Sequence, residues 1–104
     1  MTQSDQLLII KQVARNLLPG SRVVLFGSRA RNEQKQGSDY DCLIITSRQL
    51  SVKQKMQYQA ILRKELAHHK IAADVIIQSK KEVVLKQHLI GHIVREAITE
   101  GVDL

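Results

Sequence analysis

The apolar positions of this chain follow two spacings, one helical and one typical of buried strands. Over residues 7–18 apolar side chains recur every three or four positions, and Pro19-Gly20 follows them. This pattern predicts a first helix, capped by Ser4, whose apolar stripe covers a sheet. Residues 23–26 are apolar on both faces, which predicts an interior strand.

The remaining pattern predicts a series of alternating helices and strands. We expect a short helix over 28–34, a break at Gly37-Ser38, a strand over 39–45, a helix over 50–69 and a strand over 71–77. Ser79 and Glu82 form a capping box that starts another helix. Apolar residues over 90–98 predict a last helix, with Gly91 separating the two and Gly101 as a left-handed residue after the end.

This order predicts an α/β or α+β fold in which helices flank a small mixed central sheet of three or more strands. A chain of 104 residues is long enough for one hydrophobic core and too short for a second globular lobe. We therefore expect residues 1–104 to form a single domain.

The net charge and the cysteine content limit which binding partners and which cellular compartment are expected. Sixteen lysines and arginines against ten acidic residues give a formal charge of +6, which favours nucleoside triphosphates, nucleic acid or an acidic protein. Because lysines that merely solvate a surface explain this charge equally well, we do not expect a nucleic-acid partner. The single cysteine, Cys42, excludes an internal disulfide, and neither a membrane span nor a signal peptide is predicted. We expect a cytoplasmic protein.

A glycine-serine turn and two carboxylates carry the strongest chemical signal. Gly27 and Ser28 follow the first predicted strand, where a turn offers backbone N–H groups to an anion such as a triphosphate. After ten intervening residues, Asp39 and Asp41 open the second strand, and the period of two directs both to one face. Mg²⁺ suits this pair, because it binds one or two carboxylates together with substrate phosphates.

Asp74 interrupts the otherwise apolar third strand. A carboxylate in a buried strand is costly unless it meets a cation or a hydrogen-bond network. If the third strand lies beside the second, Asp74 joins Asp39 and Asp41 in a site for two Mg²⁺ ions, as in nucleotidyl transfer. One ion would activate an acceptor hydroxyl and the other would bridge the triphosphate, and Asp74 is the best candidate for the general base.

Together, residues 27–31 (Gly-Ser-Arg-Ala-Arg), residues 37–41 (Gly-Ser-Asp-Tyr-Asp) and Asp74 resemble the signature of the DNA polymerase beta-like nucleotidyltransferase superfamily. The short chain is similar to the minimal nucleotidyltransferase (MNT) branch, and the match spans nearly the whole domain. Asn32 departs from the pattern where the family often has glycine, and Cys42 where it usually has a larger aliphatic residue.

The resemblance implies residue roles and a partner. Gly27 and Ser28 would contact the triphosphate, and Asp39, Asp41 and Asp74 would ligate metal. Minimal nucleotidyltransferases are commonly the antitoxins of small helical RNase toxins of the HEPN class, and some transfer AMP from ATP to a tyrosine of that toxin. The chain is thus expected to be a protein adenylyltransferase with ATP as substrate, two Mg²⁺ ions and a HEPN-type partner.

Two alternatives stay open. The chain could bind nucleotide and occlude its partner without turnover, or it could modify a small molecule such as an aminoglycoside. The second is less favoured, because an acceptor-binding domain is lacking. Whether the chain forms homo- or hetero-oligomers is also open.

Some further residues have competing interpretations. Arg29 and Arg31 either bind phosphates or are solvated, and Arg29 is kept as a nucleotide-binding candidate. Tyr40 either stacks on a base or packs within the strand, and packing is favoured. His88 and His92 have a spacing suited to zinc, but without a third ligand no zinc site is expected.

Overall fold

The computed structural model describes residues 1–32 and 39–104 of the chain, which form four helices and four strands. Their bounds are α1 Gln3–Leu17, β1 Arg22–Phe26, β2 Tyr40–Thr46, α2 Val52–His68, β3 Ala73–Ser79, α3 Lys80–Lys86, α4 Ile93–Glu100 and β4 Val102–Asp103. None of these described helices has both the length and the apolar character needed to cross a bilayer.

The strands form one mixed sheet in the order β3-β2-β1-β4. The pairs β1–β2 and β1–β4 are antiparallel, whereas β2 and β3 run parallel with Asp41 opposite Asp74. The predicted fold class is confirmed, and β1 is the interior strand that its two apolar faces indicated. The two-residue strand β4 was not predicted, because a pair of residues carries no periodic signal.

Alternating side chains of β2 belong to two separate hydrophobic cores. Tyr40, Cys42 and Ile44 lie in the core that contains residues of α1 and α2. Leu43 and Ile45 lie in the core on the other face, with residues of α3 and α4. Because side chains of a strand alternate, Asp41 projects to the same face as Leu43, toward the α3 and α4 layer.

Three capping boxes start the longer described helices and α3. The predicted box of Ser79 and Glu82 is confirmed, and the box that starts α2 was not predicted. In α1 the cap is Thr2 and not Ser4: its hydroxyl accepts from the Asp5 N–H, and the Asp5 carboxylate accepts from the Thr2 N–H, both at 3.1 Å. Because this reciprocal pair satisfies two donors, it fixes the start of the helix two residues earlier.

The expectation of a left-handed Gly101 is wrong. Its φ of −74° and ψ of 160° are extended, and the chain passes directly into β4. Glycine is needed there for space, because an added Cβ would lie 2.1 Å from the Ala97 carbonyl oxygen and 2.3 Å from Val24 Cγ1. The left-handed glycine of this region is Gly91, with φ of +79°, at the predicted break before α4.

The expected helix over 28–34 is not formed in its described part. Residues 28–32 make turns, and the rest of that helix, like the predicted break at Gly37-Ser38, lies outside the described residues. The last helix begins at Ile93 rather than at residue 90, because His92 caps it: its Nδ1 accepts the Val94 N–H at 3.1 Å.

Cys42 should be chemically inert until the protein unfolds. Its side chain is completely buried, and burial, together with the nearby Asp41 carboxylate, raises the pKa of the thiol to about 12. Since the thiolate is the reactive form, iodoacetamide at mildly alkaline pH should label native protein only at the rate of global opening. Mass spectrometry across a urea series measures this rate. Rapid labelling without urea, at the rate of the denatured control, would contradict the burial.

Candidate active site

The carboxylates of Asp41 and Asp74 are neighbours on one face of the sheet. The two residues are paired in register on the parallel strands β2 and β3, so their side chains project in the same direction. Asp39 lies two residues before Asp41, just ahead of β2. The structure therefore places all three predicted acidic residues at the same end of the sheet, with Asp41 and Asp74 on the side of α3 and α4.

Asp41 lies in an environment that opposes its negative charge. Its pKa is raised by burial first, then by the negative charges of Asp74, Asp39 and Glu96, while Arg31 acts in the opposite direction. Asp39 and Asp74 are thus both close enough to Asp41 to oppose its negative charge. A cluster of this kind is stabilised when a cation joins it.

Gly27 connects the glycine-serine turn directly to this cluster. Its φ of +73° is in the left-handed region, and a Cβ at this position would lie 2.3 Å from Asp41 Oδ2. Any larger residue would therefore meet both backbone strain and the carboxylate. The turn predicted to hold phosphate and the residue predicted to hold metal are in van der Waals contact.

Hydrogen bonds within the chain close the turn after β1. The Gly27 carbonyl accepts the N–H groups of Ala30 and Arg31 at 3.1 and 3.2 Å. Asn32 then adopts a φ of +56°. Asparagine tolerates this left-handed conformation better than most residues do, so Asn32 can end the turn without a glycine.

Arg31 joins the turn to α4. Its Nη1 donates to Glu100 Oε2 at 3.0 Å and lies 3.9 Å from Glu96 Oε1. The same guanidinium favours the ionised form of Asp41. Glu96 was missed by sequence reasoning, because its closeness to Asp41 arises from the packing of α4 on the sheet and has no local pattern.

Asp74 differs from the expectation in one respect: it is not buried. Its side chain is 68% exposed, and Arg63 Nη2 donates to its Oδ1 at 3.1 Å. In the sheet formed by the described residues β3 lies at one edge, and Asp74 lies near its start, where water reaches it. The expected burial of Asp74 is therefore wrong, whereas its predicted position beside Asp41 is correct.

The carboxylate oxygens of Asp39, Asp41 and Asp74 are of the chemical type that binds a divalent cation. Asp41 and Asp74 on one face, with Asp39 nearby, supply the hard oxygen ligands that Mg²⁺ prefers. The pKa of Asp41 is raised by burial first and then by neighbouring negative charge, which a bound cation would offset. In the conformation described, no three Asp, Glu, His or Cys side chains within residues 1–32 and 39–104 are grouped as a metal site. Asp74 is instead oriented toward Arg63.

Arg29 and Tyr40 contact each other on the opposite side of the sheet. The Arg29 guanidinium lies 4.3 Å from the centroid of the Tyr40 ring, and its Nη1 donates to Gln3 Oε1 at 3.2 Å. Tyr40 is buried and its hydroxyl donates to Gln6, so packing is its role and base stacking is not. These contacts attach the turn to α1, and a phosphate contact of Arg29 stays a prediction.

Comparison with known proteins gives a family and a set of similar folds. The family model of the nucleotidyltransferase domain matches residues 8–102. No curated protein matches the chain. Among solved structures, a toxin-antitoxin complex with AMP-PNP is similar with a TM-score of 0.64 and 19% identity, over 98% of this chain and 72% of that one.

Two further structures have the same fold. A mutant of the MntA–HpeT toxin-antitoxin has a TM-score of 0.60 at 21% identity, covering 94% of this chain and 70% of that one. The structure of the tri-AMPylated HEPN toxin of Shewanella oneidensis in complex with MNT antitoxin has a TM-score of 0.55 at 23% identity. The match covers 99% of this chain and 71% of that one. At these identities the likeness establishes the fold.

Replacing Gly27 by alanine should cost more than replacing Gly20. Both glycines have a positive φ, so Gly27→Ala and Gly20→Ala each lose about 1–2 kcal/mol from backbone strain. Only the first also displaces Asp41, because Gly20 has open space around its Cα. Urea unfolding should show an additional loss of about 1–3 kcal/mol for Gly27→Ala. Equal losses in the two variants would show that the Asp41 contact is unimportant.

Asp41→Asn should stabilise the protein at neutral pH relative to wild type. The folded protein holds the Asp41 proton more tightly than the unfolded chain does, since its pKa is raised above the ordinary 3.8. Wild-type stability therefore falls as pH rises from 3.8 through the raised pKa, whereas the asparagine variant lacks this loss. When unfolding free energies are measured from acidic to neutral pH, the excess stability of Asp41→Asn over wild type should grow as pH rises and then become constant. An advantage that shrinks with rising pH would contradict the charge cluster.

Proposed function

Because the chain belongs to the nucleotidyltransferase domain family, we propose that it transfers AMP from ATP to a hydroxyl group of a partner protein. The contact of Gly27 with Asp41, beside Asp74, carries this proposal. It joins an anion-binding turn to carboxylates on one face of the sheet, which is the combination that nucleotidyl transfer requires.

Each residue of the cluster has a role in this proposal. The backbone N–H groups of Gly27 and Ser28 hold the triphosphate, and Asp39, Asp41 and Asp74 hold Mg²⁺. Bound Mg²⁺ would supply charge neutralisation of the triphosphate and a lowered pKa of the acceptor hydroxyl.

The transfer itself balances without another reactant. The acceptor oxygen forms a bond to the α-phosphorus of ATP, the bond from that phosphorus to the departing pyrophosphate breaks, and Asp74 accepts the hydroxyl proton. Asp74 is suited to this task because it is the exposed member of the pair with Asp41, where an acceptor on another protein has access.

A HEPN-type toxin is the partner we propose. Solved structures with the same fold are toxin-antitoxin complexes, and one contains an AMPylated HEPN toxin. The surface of this chain is also suited to a protein partner, since aliphatic side chains are exposed along α3, the following turn and the start of α4. These are Val84, Leu85, Leu89, Ile90 and Ile93, of which Ile90 is 91% exposed. We propose this segment as the partner surface, because exposed apolar patches often mark protein contacts.

The alternatives differ in the acceptor or in turnover. Occlusion of the toxin without AMP transfer would use the same partner surface but would not depend on the carboxylates. Transfer to a small molecule needs an acceptor pocket, whereas Asp74 lies at an open edge of the sheet. We also propose that residues 1–104 act as one catalytic domain in the cytoplasm, in agreement with one reduced cysteine buried in the core.

Incubation with ATP and Mg²⁺ should add one or more AMP units to the partner. The experiment uses a HEPN-type protein taken from the neighbouring reading frame and reads its intact mass. Asp39→Ala and Asp41→Ala should each lower the rate at least about a hundred-fold, because each removes a ligand of the activating cation. Both variants should still bind the partner, which pull-down measures.

Gln57→Ala is the matched control, because it removes a polar side chain on an exposed face of α2 away from the carboxylates. It should leave the added mass unchanged. A partner that is bound but never gains mass would support occlusion. Mass gained at an undiminished rate with Asp41→Ala would refute the assignment of the site.

A further inference from the structure

One stripe of α2 covers the open edge of β3. Lys55, Gln59 and Arg63 follow at intervals of four and therefore lie on the same face of the helix. Lys55 pairs with Glu82 of α3, and Gln59 Nε2 donates to the Val75 carbonyl at 2.9 Å. The Gln59 contact occupies one backbone acceptor on an edge that would otherwise present unpaired backbone groups.

Arg63 ends this stripe at the candidate site. α2 packs in the core on one face of the sheet, whereas Asp74 projects with Ile76 toward the other. The Arg63 side chain therefore passes around the edge of β3 to reach Asp74, and Nη2 donates to Oδ1 at 3.1 Å. The cation that affects Asp41 within the described chain is Arg31. Arg63 thus reaches Asp74 from the helix layer on the opposite face of the sheet.

We propose that Arg63 is a positioning residue whose ion pair with Asp74 competes with a divalent cation, so that Arg63 sets the cation affinity of the site. The inference rests on the proposed function, in which Asp74 is a metal ligand. Arg63 engages one of the two oxygens of Asp74, and its positive charge beside this carboxylate opposes the approach of a second cation. The competition is direct, because both cations seek the same carboxylate.

The exposure of the pair sets the size of the effect. The side chains of Arg63 and Asp74 are 50% and 68% exposed, so water and salt screen their attraction. Exposed pairs of this kind contribute little free energy, and their removal should tighten cation binding by about two- to five-fold. The pair is therefore strong enough to orient Asp74 and weak enough for a cation to displace it.

The test measures Mn²⁺ binding to the full chain by titration calorimetry at low ionic strength. Arg63→Gln should bind Mn²⁺ about two- to five-fold more tightly than wild type, and Arg63→Lys should fall between the two. Lys64→Gln is the matched control, because it removes the same charge from the next position of α2, which faces a different direction. It should leave the affinity unchanged. Raising the salt concentration should reduce the difference between Arg63→Gln and wild type.

Two further variants separate failure of the inference from failure of the proposed function. Asp74→Asn and Asp41→Asn should each weaken Mn²⁺ binding. If they do so while Arg63→Gln binds like wild type, the role of Arg63 is refuted and the metal site stands. If neither aspartate variant changes Mn²⁺ binding, the metal site is refuted together with the inference. Circular dichroism of every variant confirms that the fold is retained.

Discussion

The contact between Gly27 and the Asp41 carboxylate is the constraint on which the candidate site depends. An added Cβ would lie 2.3 Å from Asp41 Oδ2, so the turn after β1 and the start of β2 can approach only if residue 27 is glycine. Antiparallel pairing brings Phe26 opposite Asp41, and parallel pairing brings Asp74 to its other side. The sheet therefore fixes the distance between two carboxylates and the turn that is predicted to bind phosphate.

The charge of Asp41 destabilises the folded protein, and packing in the two hydrophobic cores offsets this loss. Burial and three neighbouring carboxylates all oppose the charge of Asp41. The two hydrophobic cores on either face of the sheet hold β2 in place, since its residues from Cys42 to Thr46 are buried without interruption. Cations at the periphery reduce the repulsion: Arg31 acts on Asp41 from the turn, and Arg63 binds Asp74 from the sheet edge. Functional sites commonly keep this kind of unfavourable charge, because a substrate or cofactor offsets it.

Local patterns predicted the parts of the fold that local physics controls. The capping box at Ser79 and the break at Gly91 were predicted correctly, because each depends on a few adjacent residues. The prediction failed at Gly101, where Ala97 and Val24 exclude a side chain and the backbone needs no left-handed φ. It also failed for the exposure of Asp74, because an apolar run around a residue does not indicate whether its strand ends at water.

The sequence by itself determined the order of the four helices and the first three strands, the glycine-serine turn, the three aspartates and their membership of one chemical pattern. These follow from periodicity and residue type, which act over a few positions of the chain. Only the tertiary structure decided that Asp41 rests on Gly27, that Glu96 adds to its repulsion and that Arg63 holds Asp74. Each of these contacts joins segments far apart in sequence, and strand register and helix packing set them. The spacing of four residues between Lys55, Gln59 and Arg63 can be read from the sequence. The sheet edge that Gln59 and Arg63 contact forms only when β3 pairs with β2.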